Sequence, residues 1–302
     1  MISESSPGAS GEISPGIAPD VWTPSEHELA RRAARASQDR RRVAVTVLSS
    51  VLVIGGMVAA VVSSSGWPVF SATFFDWTYG WEVLPIIWDG FKLNLLLVVV
   101  ASVAISVLSL LVALMRTSRS AALAPFRFLA TIYVDIFRGT PLLLVILLIG
   151  FGVPALNLPF VSSLDVAVLG TSAIVLTYVA YVAEVIRSGI LSVHPSQRAA
   201  ARSLGLSQGQ TMRHVVMPQA IRRVIPPLLN DFVSLLKDVG LVSIIGVNEA
   251  IRNAQIESSK TFNYTPYVVA AILFLIVTIP LTRFTDRVLV RSIDRQNAQG
   301  TA

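Results

Sequence analysis

Lys237 and Asp238 are neighbouring charges inside the apolar run Val224–Val247. In hydrocarbon each isolated charge costs on the order of 2.5–3.5 kcal/mol, so both must face protein or water. Adjacent helical positions do not face one another, which predicts separate partners for the two. Those partners are either charges on another subunit, locking a bundle, or groups along a path for a polar solute. Asn230 and Asp231, two turns earlier, extend the polar stripe. Glu184 stands three residues before Arg187 near the end of another apolar run. That spacing favours a local pair at a helix end over contact with a ligand. Arg138-Gly139-Thr140-Pro141 interrupts a third run. With Thr140 as cap and Pro141 as first residue, a half-helix there would aim unpaired N–H groups inward, an arrangement that favours an anion such as a carboxylate. A gate hinge or an interfacial arginine anchor is the competing reading.

None of this is covalent chemistry. The chain has 302 residues and no cysteine, which excludes disulfides, zinc–thiolate sites, iron–sulfur clusters and a thiol nucleophile. His27, His194 and His214 are scattered, and neither H-E-x-x-H nor G-x-x-x-x-G-K-[ST] occurs. No catalytic residue, metal site or bound cofactor is expected, and any ATP hydrolysis must come from a partner. A net charge of +6 fits nucleic acid or a membrane surface. The composition decides for the bilayer and against nucleic acid: 53% of residues are hydrophobic and 14% charged, where soluble domains carry about 25% charge.

Residues 1–42 read as a cytoplasmic tail. Its first 24 residues, rich in Ser, Pro and Gly, have too little apolar surface to order. Ser25-Glu26-His27-Glu28 has capping-box spacing and predicts a short basic helix up to Arg42. Arg31, Arg32, Arg35, Arg40, Arg41 and Arg42 precede the first apolar run and hold that end in the cytoplasm. Val43–Val62 has the length of about 20 residues that crosses a bilayer and forms an additional N-terminal span. Residues 63–90 read as an external loop whose Trp67, Trp77, Trp81 and Trp88 suit an interfacial belt, with Trp81–Asp89 flat on the outer surface. Further spans are expected at Phe91–Met115, with Arg116 and Arg119 at its inner end, at Ala121–Val153 (broken or tilted), at Asp165–Arg187, at Val224–Val247, and at Pro266–Val290 with a kink at Pro280. The expected architecture is an all-α, polytopic membrane bundle of about six transmembrane helices. Arg283, Arg287, Arg291 and Arg295 keep the tail 293–302 inside, so both termini are cytoplasmic. Arg252 and Lys260 in the last external loop are the exceptions to the charge rule.

The polar segment 188–223 is longer than a bundle connection needs, and its Arg198, Arg202, Arg213, Arg222 and Arg223 place it in the cytoplasm. It reads as two helices. Pro195 opens the first and Gly205 closes it in the left-handed conformation. Ser207-Gln208-Gly209-Gln210 repeats the capping-box spacing and starts a second, which Pro218 must end or kink. Arg198 and Arg202 share a face, while Ala200, Ala201 and Leu204 form a small apolar patch that another surface can approach closely.

These residues resemble the membrane permease subunits of binding-protein-dependent ABC importers, in the branch that takes up polar amino acids and opines. That family's loop reads Gly-Gln-x-Glu-Ala-Ala, Leu-Gly, nine residues, Ile-x-Leu-Pro. Here Ser196-Gln197-Arg198-Ala199-Ala200-Ala201-Arg202-Ser203-Leu204-Gly205 is followed at the matching distance by Val215-Val216-Met217-Pro218-Gln219-Ala220. Tyr133–Pro141, Tyr181–Ile190 and Leu235-Leu236-Lys237-Asp238 with Leu241-Val242-Ser243 add to the likeness, which extends from about residue 85 to 292. Ala199 stands where the family has glutamate, leaving Arg198 and Arg202 to make any ionic contact, through an acidic groove on the partner. Val239-Gly240 replaces the common Thr-Ser beside the expected substrate path.

The resemblance implies a type I ABC importer-like transmembrane domain over 91–292. Its coupling helix would dock into an ATPase subunit through Gln197, Arg198, Ala199, Ala200, Ala201, Arg202, Leu204 and Gly205, with Pro218 completing the motif. It also implies an external solute-binding protein, a second permease subunit in a homo- or heterodimer, ATP and Mg used by the ATPase alone, and the plasma membrane of a prokaryote. Arg138, Gly139, Thr140, Pro141, Glu184, Asn230, Lys237 and Asp238 are the candidates for the substrate path. An ion-gradient transporter is the alternative; it would need a second broken span as counterpart to 138–141. A channel leaves the structured loop without a role, and an intramembrane enzyme lacks its nucleophile and base.

Overall fold

The computed structural model describes residues 25–118, 120–159 and 163–300, apart from the side chains of 32–40 and 292–300. The tail 1–24, Arg119 and the side chains of Arg32, Arg35, Arg40 and Arg295 lie outside the described residues. The chain divides into two units, one ending at Trp67 and one beginning at Pro68. The first holds a single helix, α1 (Glu26–Val62). The Ser25 hydroxyl accepts the Glu28 N–H, and Glu26 and Glu28 put negative charge at the positive end of the helix dipole. The expected short basic helix is therefore the first half of a longer one, continuous with the apolar run.

Then follow α2 (Trp67–Phe74), α3 (Trp77–Thr117), α4 (Ala124–Gly139), α5 (Leu142–Leu147), α6 (Val153–Ala155), α7 (Val166–Leu191), α8 (Pro195–Ser203), α9 (Gln208–Thr211), α10 (Met217–Asp238), α11 (Ala250–Thr261) and α12 (Thr265–Gly300). Wider π-type turns at Leu148–Gly152 and Met212–Val216 join α5 to α6 and α9 to α10, and a 3-10 stretch, Val239–Ile245, follows α10. Among the described residues no strand occurs.

By length and hydropathy, Arg41–Val62, Trp67–Thr117, Val166–Leu191 and Thr265–Arg291 are long and apolar enough to cross a membrane. A fifth span is added if 121–139 and 142–155, bent by 107°, count as one. The sequence reading places six. The difference is Val224–Val247, which is not one helix: α10 starts before it and stops at Asp238, and its Asn230, Asp231, Lys237 and Asp238 dilute its apolar character. A second correction concerns Trp81–Asp89. These residues do not form a separate surface segment but belong to α3, which continues through Pro85. At 1.5 Å per residue α3 is about 60 Å long, twice the hydrocarbon thickness of roughly 30 Å. Likewise α12 passes Pro280 without ending and carries the expected tail on as helix to Gly300.

The second unit is built around α7. Of its most apolar window 61% is buried, against 28% for Trp67–Thr117 and 17% for Thr265–Arg291. Its Ala173, Ile174, Val179 and Val182 pack with Val98 and Ala101 of α3, Ile146 of α5, Leu236 of α10, and Val239 and Val242 of the 3-10 stretch. A second cluster joins Ile87 and Phe91 of α3 to Ala250 and Ala254 of α11 and Ala270 of α12. A third joins Ile190 and Val193, at the end of α7, to Val216 and Ala220. In lipid there is no hydrophobic drive between helices, so close packing of small residues must hold them. Gly189 is where this matters most. A Cβ there would stand 2.1 Å from Val224 Cγ1 and 3.4 Å from the Ala220 carbonyl oxygen.

Gly189→Ala should therefore destabilise the folded chain by about 1–3 kcal/mol, the usual range for overpacking. Adding Val224→Ala should recover most of that loss in a thermal melt of the purified protein. Additive losses in the double variant would show that α7 and α10 do not touch there.

Candidate functional site

The loop 188–223 is organised by its termini. His194 is the N-cap of α8, its Nδ1 accepting the Ser196 N–H at 3.3 Å, with Pro195 in the first turn. At the other end Gly205 has φ +84°, the Leu206 N–H bonds to the Ala201 carbonyl at 3.2 Å, and the Gly205 N–H bonds to the Arg202 carbonyl at 3.0 Å. Those two bonds are the Schellman closure of a helix. The Ser207 hydroxyl and the Gln210 side chain complete the expected capping box.

The faces of α8 depart from expectation. Gln197, Ala199, Ala200 and Leu204 are exposed, Leu204 by 81%, while Ala201 turns inward and is buried. Of its two arginines Arg198 is half-buried and Arg202 exposed, and both bond to carbonyl groups of this chain. One Nη of Arg198 donates to the Ile190 carbonyl, and Arg202 Nη1 donates to the Leu206 carbonyl at 2.6 Å. Arg223, from α10, donates to the carbonyl and hydroxyl of Ser192. The cause lies in α7, whose last carbonyls have no intrahelical partner and attract cations.

The second loop helix ends at Thr211, seven residues before Pro218, which lies in the first turn of α10. Proline removes one N–H and clashes with the carbonyl four residues back. Here the turn Met212–Val216 is widened so that the Met217 N–H reaches the Met212 carbonyl, and the chain enters α10 past Pro218 as one helical run from Gln208 to Asp238.

That run carries the polar stripe, which splits between two faces. Asn230 and Lys237 are exposed, and Lys237 has no hydrogen bond or ion pair among the described residues. Asp231 and Asp238 turn towards α7, where the Tyr178 hydroxyl donates to Asp238 Oδ2 at 2.7 Å. Asp231 lines a cavity of about 350 Å³ together with Tyr178, its Oδ2 buried without a partner. Lys237 and Asp238 thus have separate surroundings, but they stand at the end of α10 and not midway along a span. Beyond them, Val239 is wholly buried and Gly240 packs against Ile251, so the positions of the missing hydroxyls lie within the protein core.

Glu184 sits between Arg187, at 2.5 Å, and Arg116 of α3, also at 2.5 Å. The local pair is present, and the arm from α3 is one that spacing along α7 gives no sign of. At 138–141 the chain breaks between α4 and α5, but not as a capped half-helix. The Thr140 hydroxyl bonds back to the Ile136 carbonyl at 2.8 Å, Gly139 ends α4, and Pro141 itself occupies the N-cap with no side-chain bond. A side chain so engaged with the preceding turn is not available to the N–H groups ahead of it. Arg138 is exposed, with its guanidinium 6.0 Å from the Tyr181 ring centroid. The break is fastened to α7, where the Tyr181 hydroxyl donates to the Arg138 carbonyl at 3.4 Å.

Three residues that motif reading passes over are Tyr178, Asn94 and Glu249. Asn94 and Glu249 are fully buried: Asn94 Oδ1 accepts the Ala250 N–H, and the Glu249 carboxylate caps α11 through the N–H groups of Ile251 and Arg252. Burial pushes the Glu249 carboxyl up, and those two N–H groups pull against it. The available signal was polarity within an apolar run, which marks Asn94 and Tyr178 equally.

Residues 120–295 match the family described as the binding-protein-dependent transport system inner membrane component. This chain belongs to that family. It is 38% identical over 195 residues to the probable glutamine ABC transporter permease protein GlnM of Bacillus subtilis, covering 64% of this chain and 87% of that protein. To the arginine transport system permease protein ArtQ of the same organism it is 32% identical over 200 residues, 66% of this chain and 89% of the other. Among solved structures it is similar to an amino acid ABC transporter crystallised with histidines, with a TM-score of 0.64, 33% identity, 72% of this chain and 98% of that one covered. The chain is thus a multi-pass permease subunit of an ATP-driven importer, a transport component whose ATPase is a separate subunit. Membership decides against the ion-gradient transporter.

In this permease, Glu184→Gln leaves two guanidinium groups facing each other without a carboxylate. It should lower stability by on the order of 3 kcal/mol, whereas Tyr178→Phe, which removes one hydrogen bond, should cost about 1 kcal/mol. Thermal unfolding of the two purified variants checks the order, and equal losses would contradict the bridging role of Glu184.

Proposed function

We propose that this subunit forms half of the translocation path for a polar amino acid or related small solute, handed over by an external solute-binding protein. The pore is completed by a second permease subunit, identical or similar, and two ATPase subunits that use Mg and ATP drive it. The observation that carries this reading is the helical run from Gln208 to Asp238, about 45 Å at 1.5 Å per residue. It joins the loop at one end to the Tyr178–Asp238 contact at the other. On this reading α8 is the coupling helix and meets the ATPase through Gln197, Ala199, Ala200 and Leu204, the small exposed face. Arg198, Arg202, Ala201 and Gly205 hold its shape, and Pro218 marks where displacement of α8 enters α10. The Ala199 position contributes closeness of approach in place of charge.

The substrate path is assigned to the polar residues left accessible, Asn230, Lys237 and Arg138, together with Asp238 beside Tyr178. Gly139, Thr140 and Pro141 serve as the hinge next to it, and Glu184 locks the bundle. The relatives' names for glutamine and arginine permeases support a polar amino acid as the solute. Lys237, an unpaired cation, and Asp238, a carboxylate, match the two charged groups that every amino acid carries.

Reconstituted with its ATPase and binding protein, the Leu204→Arg variant should keep basal ATP hydrolysis but lose at least about tenfold in solute-stimulated uptake, the effect of a desolvated charge at a close-packed contact. Unchanged stimulation would remove α8 from the coupling role. For orientation, arginine clusters place both termini and the loop in the cytoplasm. Because the chain has no cysteine, a single cysteine introduced at Ser203 should react with an impermeant maleimide in inverted vesicles and not in intact cells. The opposite pattern would reverse the topology.

A further inference from the structure

Behind α8, on the side away from its exposed face, lies a cleft of about 270 Å³. Two of its lining residues are the last of membrane-spanning helices, Thr117 of α3 and Leu191 of α7. Facing them are Arg198, Arg202 and Thr211. The cleft therefore lies at the loop-side ends of two membrane-spanning helices, and no carboxylate is among its lining residues.

Two polar atoms at this cleft have no partner: Arg198 Nε and the hydroxyl of Thr211, a residue only 5% exposed. A donor left unsatisfied in a buried position costs about 1–3 kcal/mol, so an acceptor brought to either atom would be stabilising. Both can donate, both adjoin the charge of Arg202, and nothing in the lining balances that charge. Guanidinium N–H groups with a hydroxyl beside them match the tetrahedral, multiply accepting oxygens of a phosphate. We infer that this cleft binds a phosphate group, supplied either by a phospholipid headgroup on the loop side of the bilayer or by the free ion. The helix ends at Thr117 and Leu191 and the apolar Ile190, Met212 and Val216 around the cleft fit a headgroup with its chains alongside. An occupied cleft would tie α8 to the membrane surface through Arg198, the residue that already holds it to the Ile190 carbonyl. The exposed face used for coupling is left free.

The test uses the full chain in complex with its ATPase, delipidated in mild detergent and titrated with phosphatidylglycerol in one arm and inorganic phosphate in the other, with bound mass read by native mass spectrometry. Thr211→Val, nearly isosteric, and Arg202→Gln should each weaken binding roughly tenfold, and Thr211→Ser should restore it. Lipid retention that millimolar phosphate does not displace identifies the headgroup as the ligand. Saturable phosphate binding that excludes the lipid identifies the free ion. Both support the site. If neither variant alters binding in either arm, or if the variants only loosen the ATPase while phosphate and lipid binding stay unchanged, the cleft is not a phosphate site and the inference is overturned.

Discussion

An α-helix that ends at a membrane boundary leaves carbonyl groups with no intrahelical donor, and α7 is the most deeply buried of the membrane-spanning helices. The carbonyls of Ile190 and Ser192 meet this requirement through Arg198 and Arg223. One arginine comes from α8 and the other from α10. The same bonds that finish α7 therefore fix the position of the loop helix and of the helix that leaves the loop. Gly189 makes the arrangement compact by letting Val224 approach where a side chain would stand. A small set of contacts within a few residues thus joins the stable centre of the bundle to the part that must move.

Charges inside the bundle follow a second constraint, that each ionised group near hydrocarbon needs a partner in reach. Glu184 is enclosed by Arg116 and Arg187, which makes it a fastener between α3 and α7. Asp238 leans on a phenol, a partner that does not neutralise it. Lys237 has none among the described residues, and Asp231 keeps one oxygen bare in an apolar cavity. The groups with complete shells hold helices together.

Prolines in this chain work with the helices more than against them. Pro85 and Pro280 lie within long helices, and Pro218 follows a widened turn that takes up the extra space its ring demands. Pro141, preceded by Gly139 and by a Thr140 engaged with the turn behind it, coincides with a break between two helices.

The sequence by itself determined the class of the molecule: long uncharged runs specify membrane helices. It also determined the local caps, since Ser25, Ser207 with Gln210, and Gly205 act within four residues of themselves. The register of the loop motif was enough to place the family. What it left undecided was which way side chains face and where helices stop, because both depend on residues far away in the chain. Arg198 and Arg202 share a face by spacing, but an open carbonyl of α7 turns only Arg198 inward, while Arg202 stays exposed and bonds within its own loop. Nothing near Asp238 foretells that α10 ends there or that Tyr178, sixty residues earlier, meets it. Periodicity is a local property of a helix, whereas satisfaction of a buried polar group is a property of whatever packs against it, and that is decided by the tertiary structure alone.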